Sequence, residues 1–331
     1  MAQRLYGVGV LGNCCTHGVG ICSKFMGHAD TRVVAVYEQN SRRGEELHQV
    51  FGAPLAESYA EVINHPEVDF VAITCDPGNK AQMVEAAAVE RHGVHFVHDI
   101  PMVRFIPVFA RLLEETHVGK RGRVLGYHHR FGMNFALDFD LASVWPERLD
   151  PPEKSGGGEM TNMGCYAIDY AVALLGPPRA VTAKWRKTWD VYEAADVENF
   201  GQIVLDYGDF FALLNVGKQQ LAGERRHSNA LTISFEHETL FIDSNAEILT
   251  VNHVPRDYSD FVGGAIVDDA VEQLIGVIES DLSTHSPVTS NIETAVVATE
   301  TLMAAYQSIV EERTVVLPLS SGENSLIVAH R

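Results

Sequence analysis

The 331 residues carry a formal charge of −19, with 46% hydrophobic and 21% charged residues. That acidic balance argues against nucleic acid or an anionic membrane surface as a partner. No apolar run reaches the roughly 18–20 residues that span a bilayer, and the length permits one large or two medium domains. Fifteen histidines offset part of the charge only below neutral pH.

The chain opens MAQRLYGVGVLG, which lacks the basic start and small-residue cleavage site of a leader and reads instead as a strand. Leu5–Leu11 is a short apolar run closed by Gly12, as a buried parallel strand requires. A glycine-bearing turn and a helix near Gly18–His28 follow. Arg32–Tyr37 is a second strand, ending at Glu38, and Ser41 starts a polar helix that runs to about Phe51. Asp69–Cys75 is another buried strand, Ala81–Glu90 a helix, and His95–His98 a strand delivering Asp99. Strand and helix alternate at the interval of βαβ units, which predicts a doubly wound parallel sheet.

After Gly156 the pattern changes. Arg179–Trp189, Phe200–Tyr207, Phe210–Val216, Ala230–Phe235 and Thr239–Ile242 read as successive strands without intervening helices. They predict a large, mostly antiparallel open sheet with one face on a core. Helices are expected around Asp260–Glu279 and along the stripe Ile292, Val296, Thr299, Met303, Tyr306 and Val310, with Val315–Leu319 as a closing strand.

The stretch with the most chemistry is Ser155–Tyr170, SGGGEMTNMGCYAIDY. A triple glycine feeds a helix on which Asn162, Tyr166 and Asp169 fall at i, i+4 and i+7, one face carrying an amide, a phenol and a carboxylate. Cys165, Ile168, Val172 and Leu175 form a separate apolar stripe that docks the helix. The spacing alone fits a polar pocket floor or a solvated helix face equally well.

Five cysteines, Cys14, Cys15, Cys22, Cys75 and Cys165, are odd in number and show no C-x-x-C spacing. A reducing, cytoplasmic setting fits them better than disulfides. The adjacent Cys14 and Cys15, even with His17, cannot readily aim both sulfurs at one ion, so no metal site is expected.

Together, GVHFVHDIP (Gly93–Pro101) and SGGGEMTNMGCYAID resemble the Gfo/Idh/MocA family of NAD(P)-dependent sugar and polyol oxidoreductases. In that family one strand ends in E-K-P, and a later segment reads G-G-G-x-L-x-D-x-G-x-H-x-x-D. Here Asp99-Ile100-Pro101 stands for E-K-P, Asn162 for the family Asp, and Tyr166 for the family His. The resemblance implies a Rossmann-type α/β domain, over about 1–103, and an α+β substrate and oligomerisation domain, over about 104–331, with a boundary that an alternative places near 130. It implies a homodimer or homotetramer, assembled through the exposed face of the second sheet.

Between Pro101 and Gly156 the chain is one helix-plus-strand unit short of the family pattern. Either Arg104–Phe109 and Gly119–Val124 match the family's R-F-x-P-x-F and G-x-x-G-x-V, and the last Rossmann helix and strand are absent, or Arg123–Phe131 is that last strand. The first matches more residues.

A Rossmann turn needs glycines so that backbone approaches a pyrophosphate at a helix N-terminus. Gly12 matches the first glycine of G-x-G-x-x-G, with Cys14 and His17 at the second and third positions. Glu38, 26 residues after Gly12, is placed to accept the ribose hydroxyls of NAD. Arg42 and Arg43 would suit the 2′-phosphate of NADP, but the repulsion from Glu38 makes NAD the first choice. Asp76 and Pro77 open a segment that resembles the family's T-P-N, which lies along the cofactor, and Asp99 ends the fourth strand beside it.

The resemblance places the E-K-P lysine by the nicotinamide and the substrate hydroxyl; Ile100 supplies no cation and no proton acceptor there. Tyr166 is then the best candidate for the acid–base group, helped by a cation among Lys154, Lys184, Arg104 and His128. Asn162 and Asp169 would bind hydroxyls. The leading expectation is hydride transfer between NAD and a polyhydroxylated substrate such as a sugar, inositol or sugar acid. The alternatives are a non-catalytic nucleotide- or sugar-binding relative, acting as a sensor or assembly subunit, and a lyase or glycosidase that uses NAD without net redox change.

Overall fold

The computed structural model describes residues 5–14, 17–90, 95–98, 102–222, 226–262 and 292–329. Those up to 98 form one compact unit and those from 102 onward a second.

In the first unit, strands β1 (Tyr6–Leu11), β2 (Thr31–Tyr37), β3 (Phe70–Ile73) and β4 (His95–His98) pair in the order β2-β1-β3-β4. Every pairing is parallel, with Val10 opposite Val36 on one side and Ala72 on the other. Helices α1 (His17–Gly27), α2 (Ser41–Phe51), α3 (Tyr59–Ile63) and α4 (Pro77–Glu90) are the connections. They cover both faces. Cys22, Phe25, Leu47 and Phe51 pack with Val8, Val10 and Val36 in one layer, and Val62, Ile63, Met83 and Ala87 with Leu11, Val71 and Ile73 in the other. Each fully buried Phe, Leu or Ile in those layers contributes roughly 1.5–3 kcal/mol.

Local signals fix the helix ends. The Asn40 side chain accepts from the amides of Arg42 and Arg43 and starts α2, and Gly52 at φ +64° closes it by donating to the His48 carbonyl.

The second unit is built on a nine-stranded sheet. Its members are β5 (Val124–Phe135), β6 (Ala180–Arg186), β7 (Phe200–Asp206), β8 (Phe211–Gln220), β9 (Arg226–Phe235), β10 (Thr239–Asp243), β11 (Ile248–Val251), β12 (Val254–Arg256) and β13 (Val315–Val316). The order is β12-β11-β10-β9-β5-β8-β7-β6-β13, antiparallel except for the β5–β8 pair. Arg123–Phe131 therefore falls largely in β5, at the centre of the second sheet. Among the described residues the first sheet has four strands, the arrangement of the first of the two alignments. Alternation assigns the faces: Tyr127, His129, Phe131, Met133 and Phe135 point into the core, while His128 and Arg130 point out. The inner face is covered by α5 (Pro107–His117), α6 (Cys165–Leu175) and α7 (Ile292–Glu311), which share one apolar core with it. The helix expected at Asp260–Glu279 lies mostly outside the described residues.

Candidate functional site

At the carboxyl edge of the first sheet, β1, β2 and β3 end side by side, where open α/β sheets bind ligands. Gly12 sits at φ +96°, and a Cβ there would lie 2.3 Å from Cys75 Cα. Only glycine lets this turn pass so close to the β3–α4 loop. Its amide donates to the Tyr37 carbonyl at 2.7 Å and its carbonyl accepts from Thr74 Oγ1 at 2.7 Å. Cys14 is buried, its amide donating to the Thr74 carbonyl at 2.9 Å. His17 opens α1, and its side chain, like Asp99 and Ile100, lies outside the described residues.

Glu38 follows β2 with its carboxylate turned into this edge. Oε2 accepts from the Asn13 amide at 2.7 Å; Oε1 accepts from the Asn40 amide at 2.9 Å and from Arg43 Nη2 at 3.0 Å. Arg43 also grips Asp76 through both Nη atoms, at 3.1 and 2.8 Å. Asp76 and Pro77 stand at the start of α4. Asn13, which no motif singled out, is fully buried and ties three elements together. Besides its amide bond to Glu38, its Nδ2 donates to Glu46 and its Oδ1 accepts from the Val19 amide of α1.

These residues fit a dinucleotide. Gly12 lets the turn fold tightly against the β3–α4 loop, as a dinucleotide turn requires. Glu38 has about four lone-pair sites, three of them occupied, and a ribose diol completes the set once Arg43 moves off it.

In the second unit the glycine run enters a π-helical turn, Met160–Gly164, that continues into α6. Gly157 at φ +136° lies against Tyr306, where a Cβ would sit 2.2 Å from its hydroxyl. Two buried glutamates brace the turn from below. Glu198 Oε1 accepts from the Met160 amide at 2.7 Å and Tyr306 OH at 3.1 Å, and Oε2 from the Gly158 amide at 3.2 Å. Burial pushes this carboxyl up to about 7, against the pull of those donors. Glu159 accepts from Tyr192 OH at 2.7 Å and Lys218 Nζ at 3.0 Å on Oε1, and from Asn162 Nδ2 at 2.7 Å on Oε2. Its own burial raises the carboxyl, but Lys218, Arg148, Asn162 and Tyr192 outweigh that and hold it below its ordinary value.

Asn162 therefore turns its amide nitrogen down to Glu159 and its Oδ1 away from it, because a carboxylate only accepts. Tyr166 is half-buried in the first turn of α6, its ring 5.7 Å from that of Phe131. Asp169, expected on the same polar face, is buried and bound at both oxygens: Arg104 Nε and Nη2 each donate to it at 2.6 Å. Burial raises the Asp169 carboxyl, and Arg104 opposes that rise.

Of the four candidate cations, Arg104 alone is bonded to α6 among the described contacts. Lys154 pairs with Asp150 at 2.7 Å, Lys184 is exposed on β6, and His128 accepts from Asn215 on the outer sheet face. The sequence reading missed Glu159, Glu198 and Lys218; of these only Lys218 lies in a strand, where a lone charge among the apolar residues of β8 was the available signal. Among the described residues no group of three or more His, Cys, Asp or Glu could hold a metal, and no helix is long and apolar enough to cross a membrane.

A parallel sheet with a glycine turn and a strand-end acid has the form of a dinucleotide-binding domain, here followed by a unit built on a large open sheet. Residues 8–117 match the model of the oxidoreductase family with an NAD-binding Rossmann fold, and residues 109–240 match the GFO/IDH/MocA C-terminal domain. The chain belongs to the Gfo/Idh/MocA family. No curated protein sequence matches it.

Solved structures share the fold at low identity. The WlbA dehydrogenase from Chromobacterium violaceum, in complex with NADH and UDP-GlcNAcA, superposes with a TM-score of 0.73 at 16% identity, over 97% of this chain and 98% of its own. A levoglucosan dehydrogenase in complex with NADH and levoglucosan gives 0.72 at 17%, over 96% and 100%. The scyllo-inositol dehydrogenase from Lactobacillus casei, with NAD(H) and scyllo-inositol bound, gives 0.71 at 16%, over 95% and 99%.

Proposed function

We propose that this protein is an NAD-dependent oxidoreductase that interconverts a secondary alcohol and a ketone on a sugar, inositol or related polyol. In this reading Gly12, Cys14, His17, Glu38, Asp76, Pro77 and Asp99 bind the cofactor, and Asn162 and Tyr166 bind and act on the substrate. When bound, NAD supplies the hydride acceptor for the carbinol carbon. The chain must then take the hydroxyl proton, and Tyr166 is its acceptor.

The observation that carries this reading is the pairing of Arg104 with Asp169, one turn along α6 from Tyr166. That pair fixes the stretch of α6 that carries Tyr166, so the phenol is held in one position for proton transfer. In this proposal Asp169 serves Arg104 rather than a substrate hydroxyl. Asn162 keeps the acceptor character of the family Asp, because Glu159 engages its amino group and leaves Oδ1 to receive a substrate hydroxyl.

The relatives with bound polyols or sugar nucleotides support a polyhydroxylated substrate class. Ile100, in place of the family lysine, favours the alternative of a non-catalytic relative. The deciding experiment is a titration with NADH followed by nicotinamide fluorescence, then a polyol screen for NAD reduction. Saturable binding with turnover of at least one polyol supports the enzyme; binding without turnover of any polyol supports the sensor.

A further inference from the structure

The carboxyl edge of the four-stranded sheet holds one arginine between two acids. Arg43, near the start of α2, gives three of its four Nη hydrogens to carboxylates: two to Asp76 and one to Glu38. The site is partly closed, the three side chains being 16%, 11% and 4% exposed for Arg43, Asp76 and Glu38. The hydrogen bonds and charge of Asp76, and then those of Glu38, raise the guanidinium above its ordinary value despite burial. Asp76 has the larger share of the grip. Arg43 Nε is buried and has no acceptor among the described residues, so the head group is oriented by the two acids alone.

Glu38 is the carboxylate placed for the ribose hydroxyls, and Arg43 lies one hydrogen bond from it. That puts the guanidinium within reach of whatever occupies the ribose 2′ position. A 2′-phosphate brings nearly two negative charges beside Glu38 and needs a cation in compensation. Arg43 is the near cation, but three of its four Nη hydrogens are already committed to the two acids. A ribose diol asks for less: Arg43 need release only its single bond to Glu38, and its two-point hold on Asp76 keeps it parked beside the opened carboxylate.

We propose that Asp76 determines cofactor choice by withholding Arg43 from a 2′-phosphate while leaving Glu38 to the ribose diol of NAD. The inference rests on the reading of this edge as the NAD site. Removing the Asp76 charge reverses both effects. Arg43 then falls back on Glu38, where it competes with the ribose diol, and its freed donors meet a 2′-phosphate.

The test is a set of fluorescence titrations with NADH and NADPH on wild type, Asp76→Asn, Arg43→Gln and the double variant. Asp76→Ser joins the set because serine, like aspartate, is favoured just before a helix start but carries no charge. Thermal melts establish that each variant is folded. The expected result is a shift of the NADPH-to-NADH affinity ratio toward NADPH by about tenfold or more in Asp76→Asn, the scale of one charge-assisted hydrogen bond. The shift should vanish when Arg43→Gln is added. An unchanged ratio in both folded Asp76 variants overturns the proposal while leaving the NAD site standing. A shift that survives Arg43→Gln also overturns it and assigns the 2′ position to another cation, with the exposed Arg42 first in line. Wild type that binds neither nucleotide overturns the NAD site itself, and this proposal with it.

Discussion

Arg104 and Asp169, 65 residues apart in the chain, meet in two parallel bonds of 2.6 Å inside the second unit. Arg104 lies in a 3₁₀ turn and Asp169 in the middle of α6, so the pair fastens the entry of the unit to its central helix. A buried pair of this kind adds little over an apolar one, but breaking it on one side is costly.

Asp169→Asn should therefore destabilise the protein by about 3–5 kcal/mol, since Arg104 is only 1% exposed and would be left buried without a counter-charge. Urea denaturation reports it directly. A loss under 1 kcal/mol would show that water reaches Arg104 and that the pair does not lock α6.

Tyr166→Phe removes the proposed proton acceptor and keeps the ring against Phe131. Turnover should fall roughly 10²–10⁴-fold, with NADH affinity and the melting temperature close to wild type. Turnover within a few-fold of wild type would transfer the acid–base role to another group.

Glu115 controls an acid limb of stability. Burial raises its carboxyl, yet Lys120, Arg111 and Arg121 together bring it down from 4.5 to about 2. A group depressed on folding contributes stability above its unfolded value and loses it as pH falls through its folded one. Wild type should lose urea resistance between pH 4.5 and 2 more steeply than Glu115→Gln, whose resistance above pH 4.5 should be lower.

Glu198 works with the opposite sign. Its carboxyl is raised on folding from 4.5 to about 7, so the folded state holds the proton that the unfolded state releases. That contribution is present in full below 4.5 and is lost as pH rises through 7. Glu198→Gln should flatten the decline in stability across this window. An identical slope in the two proteins would mean that Glu198 does not titrate there.

Much of the first unit was legible residue by residue. Apolar runs of strand length with turn residues between them define a buried parallel strand wherever they occur, and β1, β2, β3 and β4 lie within a residue or two of the expected bounds. Helix α2 is specified even more locally, since Asn40 and Gly52 cap it through bonds that span at most four residues. The strand-end position of Glu38 follows from the same count.

The second unit shows where such counting ends. The spacing of Asn162, Tyr166 and Asp169 places three polar groups on one helix, but not what each one touches. Asn162 turned to Glu159, and Asp169 met an arginine from a segment far upstream. The parallel pairing of β5 with β8 likewise joins strands more than 80 residues apart and has no local signature.

By itself the sequence determined the strand–helix alternation, the glycine turn with its strand-end acid and the family motif, because backbone preferences and hydrophobic periodicity act over a few residues. Only the tertiary structure decided which buried charges face one another: Arg43 between Glu38 and Asp76, Arg104 on Asp169, and Lys218 on Glu159. A charge taken out of water must find its counter-charge wherever the fold delivers one, and no spacing along the chain records where that is.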